Sequence, residues 1–331
     1  MGSIFFISFL AGLILNIFCV FLGSKIRSFR TRLEDGGYGI SKLGGMAIVL
    51  SFFITIGIVF GRRGLFDHRS VVVLTALALT FLLGMFDDFV NLPPFKKLFA
   101  QFAIALFLVV GGIKTQIVFL SPLGNSLLTI LWFVSLMNAF NFLDILDGLA
   151  AGISILCAAT FLYICYGRSH GIVVILTAAL LGSNLGFLGF NFHPARLYMG
   201  DTGSLFNGMA LATIAIMISY APQGREMALF VPFLIFALPL YDLIFVIVMR
   251  FARRKSIVKK SRDHFVLRLV DKGESPRRSV FLMYFFNILF NLMAILLLTS
   301  SNLFGFFILF LTLSTWLALA YKISKVNFRE G

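Results

Sequence analysis

About eleven apolar runs, each close to the ~20 residues that cross a bilayer as a helix, recur along the whole of this 331-residue chain. They fall at about 4–23, 43–61, 70–86, 98–113, 126–143, 149–166, 170–188, 203–220, 227–249, 279–299 and 303–321. A backbone in lipid must satisfy its own hydrogen bonds, so such runs form helices. The alternating ten-residue pattern of a transmembrane barrel is absent. With 60% hydrophobic and only 13% charged residues, a soluble globule is excluded. The expected fold is an all-α polytopic membrane protein of about eleven transmembrane helices, one integral membrane domain over residues 1–331. No internal repeat indicates a transporter built from two halves. Cys19, Cys157 and Cys165 all sit inside apolar runs and read as small hydrophobes, not as a disulfide frame or zinc site. The first run lacks a basic flank and a small-residue cleavage pattern, so it reads as a true span.

Lysine and arginine orient the spans. One set of loops holds Lys25, Arg27, Arg30, Arg32 and Lys42, then Lys96 and Lys97, then Arg196, the run from Arg250 to Arg278, and Lys322, Lys325 and Arg329. The opposite loops hold Arg62, Arg63, Arg69, Lys114, Arg168 and Arg225. The positive-inside rule places the first set in the cytoplasm, the N-terminus outside and the C-terminus inside. The net charge of +14 is thus concentrated on one face, where it suits anionic lipid. Charge spread between membrane spans is a poor match to nucleic acid, which is excluded as a partner.

Five acids interrupt this pattern, in Gly84-Met85-Phe86-Asp87-Asp88, in Asn141-Phe142-Leu143-Asp144-Ile145-Leu146-Asp147-Gly148 and in Tyr198-Met199-Gly200-Asp201-Thr202-Gly203-Ser204. By the orientation above, all five fall at the cytoplasmic ends of spans. Carboxylates beside a bilayer are costly and usually pair, bind a cation or line a polar path. Asp144 and Asp147, three residues apart, can present both carboxylates to one side. Any one of these acids could be a helix cap or turn residue. Five at one membrane face point instead to a divalent cation, which phosphate substrates bring together with one or two carboxylates. Asp242, in the ninth run, reads as pairing with a basic residue in the bundle. A cation-coupled transporter or lipid flippase is the alternative from another class, but its acids belong nearer the bilayer midplane.

The runs from Asn138 to Ala150 and from Asn191 to Ser204, with Asp87-Asp88 followed by Lys97 and Gln101, resemble the polyprenyl-phosphate N-acetylhexosamine-1-phosphate transferases over about residues 40–280. The resemblance implies an enzyme of the inner (cytoplasmic) membrane. It would move a sugar 1-phosphate from a UDP-N-acetylhexosamine to a polyprenyl phosphate, release UMP and initiate a cell-envelope glycan. N-Acetylglucosamine and undecaprenyl phosphate are the expected substrates, with another UDP-N-acetylhexosamine, including the muramoyl-pentapeptide nucleotide, as the alternative. Mg²⁺ is the implied cofactor, with Mn²⁺ as its substitute, and a homodimer is compatible.

The resemblance also implies roles. Asp201 matches a metal ligand, with Asp88 its partner. Asp87 matches the position proposed to deprotonate the lipid phosphate or, as the less favoured alternative, to act as a nucleophile; Asp88, Asp144 and Asp147 match the other catalytic acids, the last two in the nucleotide and metal region. Asn138, Asn141 and Lys97 match substrate-binding positions, and Tyr198 the aromatic that stacks on uracil. Interfacial tyrosines and lysines also serve as membrane anchors. In Arg262-Asp263-His264-Phe265-Val266-Leu267-Arg268, His264 and Arg268 match a catalytic histidine and a binding arginine of a histidine-rich loop. Val266 and Leu267 replace its other two histidines, which argues against the muramoyl-pentapeptide branch. Ile145 stands where a glycine is usual, so the loop there is expected to bend less sharply.

Overall fold

The computed structural model describes residues 1–25, 30–32, 38–166, 171–221, 224–254 and 263–324. Arg27, Arg168, His170, Arg262, Lys325 and Arg329 lie outside the described residues. The chain divides into two compact units, Met1–Ile218 and Ser219–Gly331.

The first unit is built from α1 (Gly2–Lys25), α2 (Gly44–Arg63), α3 (His68–Val90), α4 (Pro94–Val110), α5 (Pro122–Leu143), α6 (Leu149–Cys165), α7 (Gly171–Asn191) and α8 (Gly200–Met217). Each matches an apolar run of the sequence. Between α1 and α2 lies a short antiparallel ribbon, β1 (Arg30–Arg32) with β2 (Tyr38–Ser41), in the register Arg30 to Ser41 and Arg32 to Tyr38. Three- and four-residue strands are too short to leave an alternating signature, so the ribbon was not expected.

The second unit holds a 3₁₀ turn (Glu226–Phe230), α9 (Val231–Ile235), α10 (Ala237–Ala252), α11 (Phe265–Asp271), α12 (Pro276–Thr299) and α13 (Asn302–Ser324). The expected run 227–249 is not one straight helix: it bends by 72° between Ile235 and Ala237. Pro239 has no N–H to offer the carbonyl four residues earlier, which weakens the ladder at that point.

Among the described residues, α1, α2, α3, α5, α7, α12 and α13 are long and apolar enough to cross a membrane, seven in all, or eight if the bent pair is one span. This is fewer than the eleven expected. The reason is local: α4 and α6 have 17 residues each, and α8 opens on the polar stretch Gly200-Asp201-Thr202-Gly203-Ser204. The protein is a multi-pass membrane protein in which α8 is almost entirely buried, so its polar first turn is held inside protein. Close approach depends on small residues. A Cβ on Gly84 of α3 would stand 2.6 Å from the Asp201 carbonyl oxygen, so only glycine lets α3 lie this close to the start of α8. The outward residues of α4, Phe95 and Phe99, are highly exposed, as lipid-facing side chains are.

Candidate active site

The end of α3 places the first acid. Asn91 closes the helix at φ 52°, its N–H donating to the Asp87 carbonyl at 2.9 Å. The Leu92 N–H then donates to Asp87 Oδ1 at 2.7 Å, which orients the carboxylate. Pro93 and Pro94 cannot extend α3 but suit the start of α4. One turn into α4, Lys97 returns to Asp87, with Nζ 2.9 Å from Oδ2. Both side chains are largely buried.

The start of α8 places the second and third acids. Met199 provides no side-chain cap, and Asp88 does so from α3. Its Oδ1 accepts from the Asp201 N–H at 2.9 Å, and its Oδ2 from the Thr202 N–H at 2.9 Å and Thr202 Oγ1 at 2.5 Å. A carboxylate there serves the unsatisfied amides and the positive end of the helix dipole. Gly200 admits it: φ is 65° and a Cβ would lie 2.7 Å from Asp88 Oδ1. Asp201, in the first turn so anchored, reaches Lys97 Nζ at 2.9 Å through Oδ1. One ammonium therefore joins Asp87 of α3 to Asp201 of α8.

The end of α5 closes the cluster. Asn141 Nδ2 donates to Asp201 Oδ1 and, at 3.0 Å, to Ser204 Oγ, while Lys97 Nζ donates to Asn141 Oδ1 at 3.4 Å. Asn138 Nδ2 donates to Gln101 Oε1 at 2.7 Å and to the Val134 carbonyl at 2.8 Å.

The α5–α6 turn carries Asp144 and Asp147. Burial, then the negative charges of Asp201 and Asp88, push the Asp144 carboxyl up to about 8. Asp147 Oδ2 lies 3.0 Å from His193 Nδ1 and accepts from the Ala195 N–H at 3.1 Å. The bend falls on Gly148, at φ 81°, so Ile145 is not asked for a glycine conformation. Asn191 ties the turn to the next loop, its Oδ1 accepting from the Gly148 N–H and its Nδ2 donating to the Leu197 carbonyl, both at 2.9 Å. Tyr198 is held by its backbone: its N–H donates to the Ser41 carbonyl at 2.8 Å, and its carbonyl accepts from the Gly44 N–H at 3.1 Å. Burial, then the charges of Asp147 and Asp144, raise its phenol above the ordinary range. The tyrosine thus stands in the field of these acids.

In the second unit, His264 Nδ1 lies 2.8 Å from Asp242 Oδ2, and the Phe265 N–H donates to Asp242 Oδ1 at 2.8 Å. Both side chains are buried. Asp263 Oδ1 meets Arg253 Nη1 at 3.1 Å and Arg268 Nη2 at 3.2 Å, and the Arg268 guanidinium lies 5.2 Å from the Phe245 ring centroid. Asp242 therefore has the basic partner expected of it, an imidazole.

Asp87, Asp88, Lys97, Asn141 and Asp201 form one contiguous cluster, with Asn138 on the same face of α5. Asp147 bonds to a neighbouring loop, and His264 and Arg268 belong to the network of the second unit. Sequence reasoning missed Ser204, Thr202 and His193 as site partners. Ser204 and Thr202 lie in the quoted Asp201 run, but no short-range pattern ties His193 to Asp147.

Among the described residues, no group of three or more His, Cys, Asp or Glu side chains is placed to hold a metal ion. Asp87 and Asp201 converge on Lys97 instead. The Asp201 carboxylate, 29% exposed against 7% for Asp87, and the adjoining Asn141 carboxamide are oxygen donors of the kind that bind Mg²⁺ when phosphate oxygens complete the shell. The residues fit a cation brought in with substrate, not a closed protein cage. Asp88, with both oxygens engaged, fits it less well than Asp201.

Residues 70–219 match glycosyl transferase family 4. The chain is 30% identical over 300 residues to a probable undecaprenyl-phosphate N-acetylglucosaminyl 1-phosphate transferase of Bacillus subtilis, covering 86% of this chain and 81% of that protein. It is 31% identical over 321 residues to a decaprenyl-phosphate N-acetylglucosaminephosphotransferase of Mycobacterium tuberculosis (83% and 78%). It is also 31% identical over 319 residues to a phospho-N-acetylmuramoyl-pentapeptide-transferase of Halalkalibacterium halodurans (88% and 95%).

Proposed function

The chain belongs to glycosyl transferase family 4, and from that premise we propose that it transfers N-acetylglucosamine 1-phosphate from UDP-N-acetylglucosamine to undecaprenyl phosphate. The reaction releases UMP, depends on Mg²⁺ and initiates an envelope glycan at the cytoplasmic face of the inner membrane. In the transfer, an oxygen of the lipid phosphate bonds to the sugar-bearing phosphorus. The bond from that phosphorus to the UMP oxygen breaks, and UMP leaves with the electron pair.

The observation that carries this reading is Lys97 shared between Asp87 and Asp201 at 2.9 Å each. Two phosphorylated substrates repel one another unless fixed positive charge offsets them. An ammonium held by two carboxylates can exchange one of them for a phosphate oxygen without losing its place. Asp87, oriented by the Leu92 N–H, would take a proton from the lipid phosphate. Asp88 acts through α8, fixing the turn that presents Asp201. With Asp201 and the Asn141 carboxamide as protein ligands, Mg²⁺ would supply charge neutralisation on the diphosphate. Tyr198, beside Asp144 and Asp147, offers a ring face to uracil.

A second reading takes the muramoyl-pentapeptide nucleotide as donor, favoured by the Halalkalibacterium relative, 95% of which the chain covers. Val266 and Leu267, in place of two histidines, weigh against it. The test combines purified protein, undecaprenyl phosphate and a panel of radiolabelled UDP-sugars, with Mg²⁺ or a chelator. Metal-dependent passage of label into lipid, with UMP released, is expected from UDP-N-acetylglucosamine. A folded protein that transfers no sugar would restore the cation-coupled transporter or flippase.

A further inference from the structure

The connection from α4 to α5, at the end of α5 opposite Asn141, is folded tightly back onto the helix it precedes. Asn125, in the first turn of α5, gathers it. Its Oδ1 accepts from the Ile117 N–H at 2.9 Å and from Thr115 Oγ1 at 3.0 Å. Its Nδ2 is shared among the carbonyls of Ile117, Leu120 and Ser121 at 3.1, 3.2 and 3.3 Å. One turn later, Thr129 Oγ1 accepts from the Thr115 N–H at 2.9 Å. Asn125 and Thr129 are both buried, so the turn is held from inside the protein.

What the turn presents outward is apolar. Val118 is 92% exposed and Phe119 78%, and Leu120 and Leu123 are exposed beside them. A contiguous apolar patch of this kind meets either a protein or a membrane. Continuity decides for the membrane: Leu123 leads into Leu127 and Leu131, both exposed, at the spacing of one helix face, and α5 is long and apolar enough to cross a bilayer. α4, with 17 residues, is shorter than the hydrocarbon core is thick, which draws the turn at its end to the membrane surface. The depth is bounded as well. Among the described residues, the Val118 and Phe119 N–H groups have no partner, and unpaired peptide groups do not lie against the lipid core. We propose that this turn is a lipid anchor: Val118, Phe119, Leu120 and Leu123 insert into the interfacial layer of the outer leaflet, backbone at the headgroups and side chains at the acyl boundary, as the apolar face of an interfacial helix does. The outer side follows from the orientation expected of the basic loops. The inference goes beyond the transferase reading and does not depend on it.

The test places an environment-sensitive fluorophore on Phe119→Cys and, separately, on Gln116→Cys, in the full-length protein reconstituted into phosphatidylethanolamine–phosphatidylglycerol vesicles. The native cysteines are buried and take up little label. Quenching is read with iodide on both sides of the membrane, and with lipids carrying a nitroxide either near the headgroup or near the chain end. The probe at position 119 is expected to emit to the blue of that at 116 and to lose most of the iodide quenching seen there. Headgroup-proximal nitroxide should quench it more than chain-end nitroxide. Asn125→Ala releases the turn, and the probe at 119 should then regain part of its iodide quenching. Equal iodide quenching at the two positions would put the tip in water and overturn the proposal. Shielding from iodide and from both lipids would mean that protein, a second copy included, covers the patch, and would overturn it too. So would stronger quenching from the chain end, which places the tip in the core. If Phe119→Cys does not fold, Val118→Cys carries the same test.

Discussion

Lys97 neutralises a place where two carboxylates converge, and its removal should separate charge balance from packing. Lys97→Met keeps much of the apolar stem but leaves Asp87 and Asp201 facing one another without their cation. Loss of transfer by roughly 100-fold or more is expected, on the scale of removing one fixed charge from a transition state. The melting temperature should also fall, and added Mg²⁺ should recover part of the melting loss but not the activity. Asp144 gives a prediction of opposite sign to that of most carboxylates. Its folded value of about 8 lies above the ordinary 3.8, so the folded protein holds this proton more tightly than the unfolded chain. Between those values folding takes up a proton, and stability falls as pH rises. Thermal stability measured in chelator should therefore decline from pH 5 to 8, and Asp144→Asn should flatten that decline. A wild-type profile equally flat across this range would mean that Asp144 is ionised throughout.

At the level of elements, the site is a set of helix ends, and Asp88 is the residue that joins two of them. Asp88→Ala leaves the first amides of α8 unserved and should cost about 1–2 kcal/mol, as other lost caps do. Gly200→Ala should be worse for activity than for synthesis of the protein. Its Cβ meets the Asp88 carboxylate, and φ 65° strains alanine by about 1–2 kcal/mol. Transfer should collapse in both variants in proportion to the displacement of Asp201, and Asp88→Asn, which keeps one acceptor oxygen, should lose less than Asp88→Ala. Much of this was legible beforehand. The runs around Asp87, Asn141 and Asp201 announced themselves because acids stand out against apolar spans, and every expected span of the first unit is a helix. What stayed hidden depends on contacts distant in sequence. That Asp88 caps α8 requires knowing that α3 and α8 touch through Gly84, and a carboxylate doing so reads locally like a metal ligand. The bend at Ile235–Ala237 and the pairing of Asp147 with His193 were hidden for the same reason, since neither follows from a window of neighbouring residues.

For the whole molecule, the contacts of the first unit favour more crossings than hydropathy counts. Asp87 lies in the last turn of α3 and Asn141 in the last turn of α5, and both side chains meet Lys97 near the start of α4. Two successive helices can end at the same face only if the chain returns between them, so α4 has to carry it back. Its 17 residues span about 25 Å at 1.5 Å per residue, slightly less than the ~30 Å hydrocarbon core, which is why length alone does not count it. The same reasoning applies to α6 and α7: Gly148, opening the first, bonds to Asn191, closing the second. By the positive-inside rule, the shared face is expected to be cytoplasmic. Single cysteines distinguish these arrangements, because Cys19, Cys157 and Cys165 are buried and contribute little background with a membrane-impermeant maleimide. Arg63→Cys, at the end of α2, and Gln116→Cys, after α4, should be labelled in intact cells, and Lys96→Cys only after permeabilisation. If Gln116→Cys instead behaved like Lys96→Cys, α4 would enter the membrane and return. If all three labels were reversed, the acids would face outward, away from any cytosolic nucleotide sugar, and the transferase reading would lose its substrate.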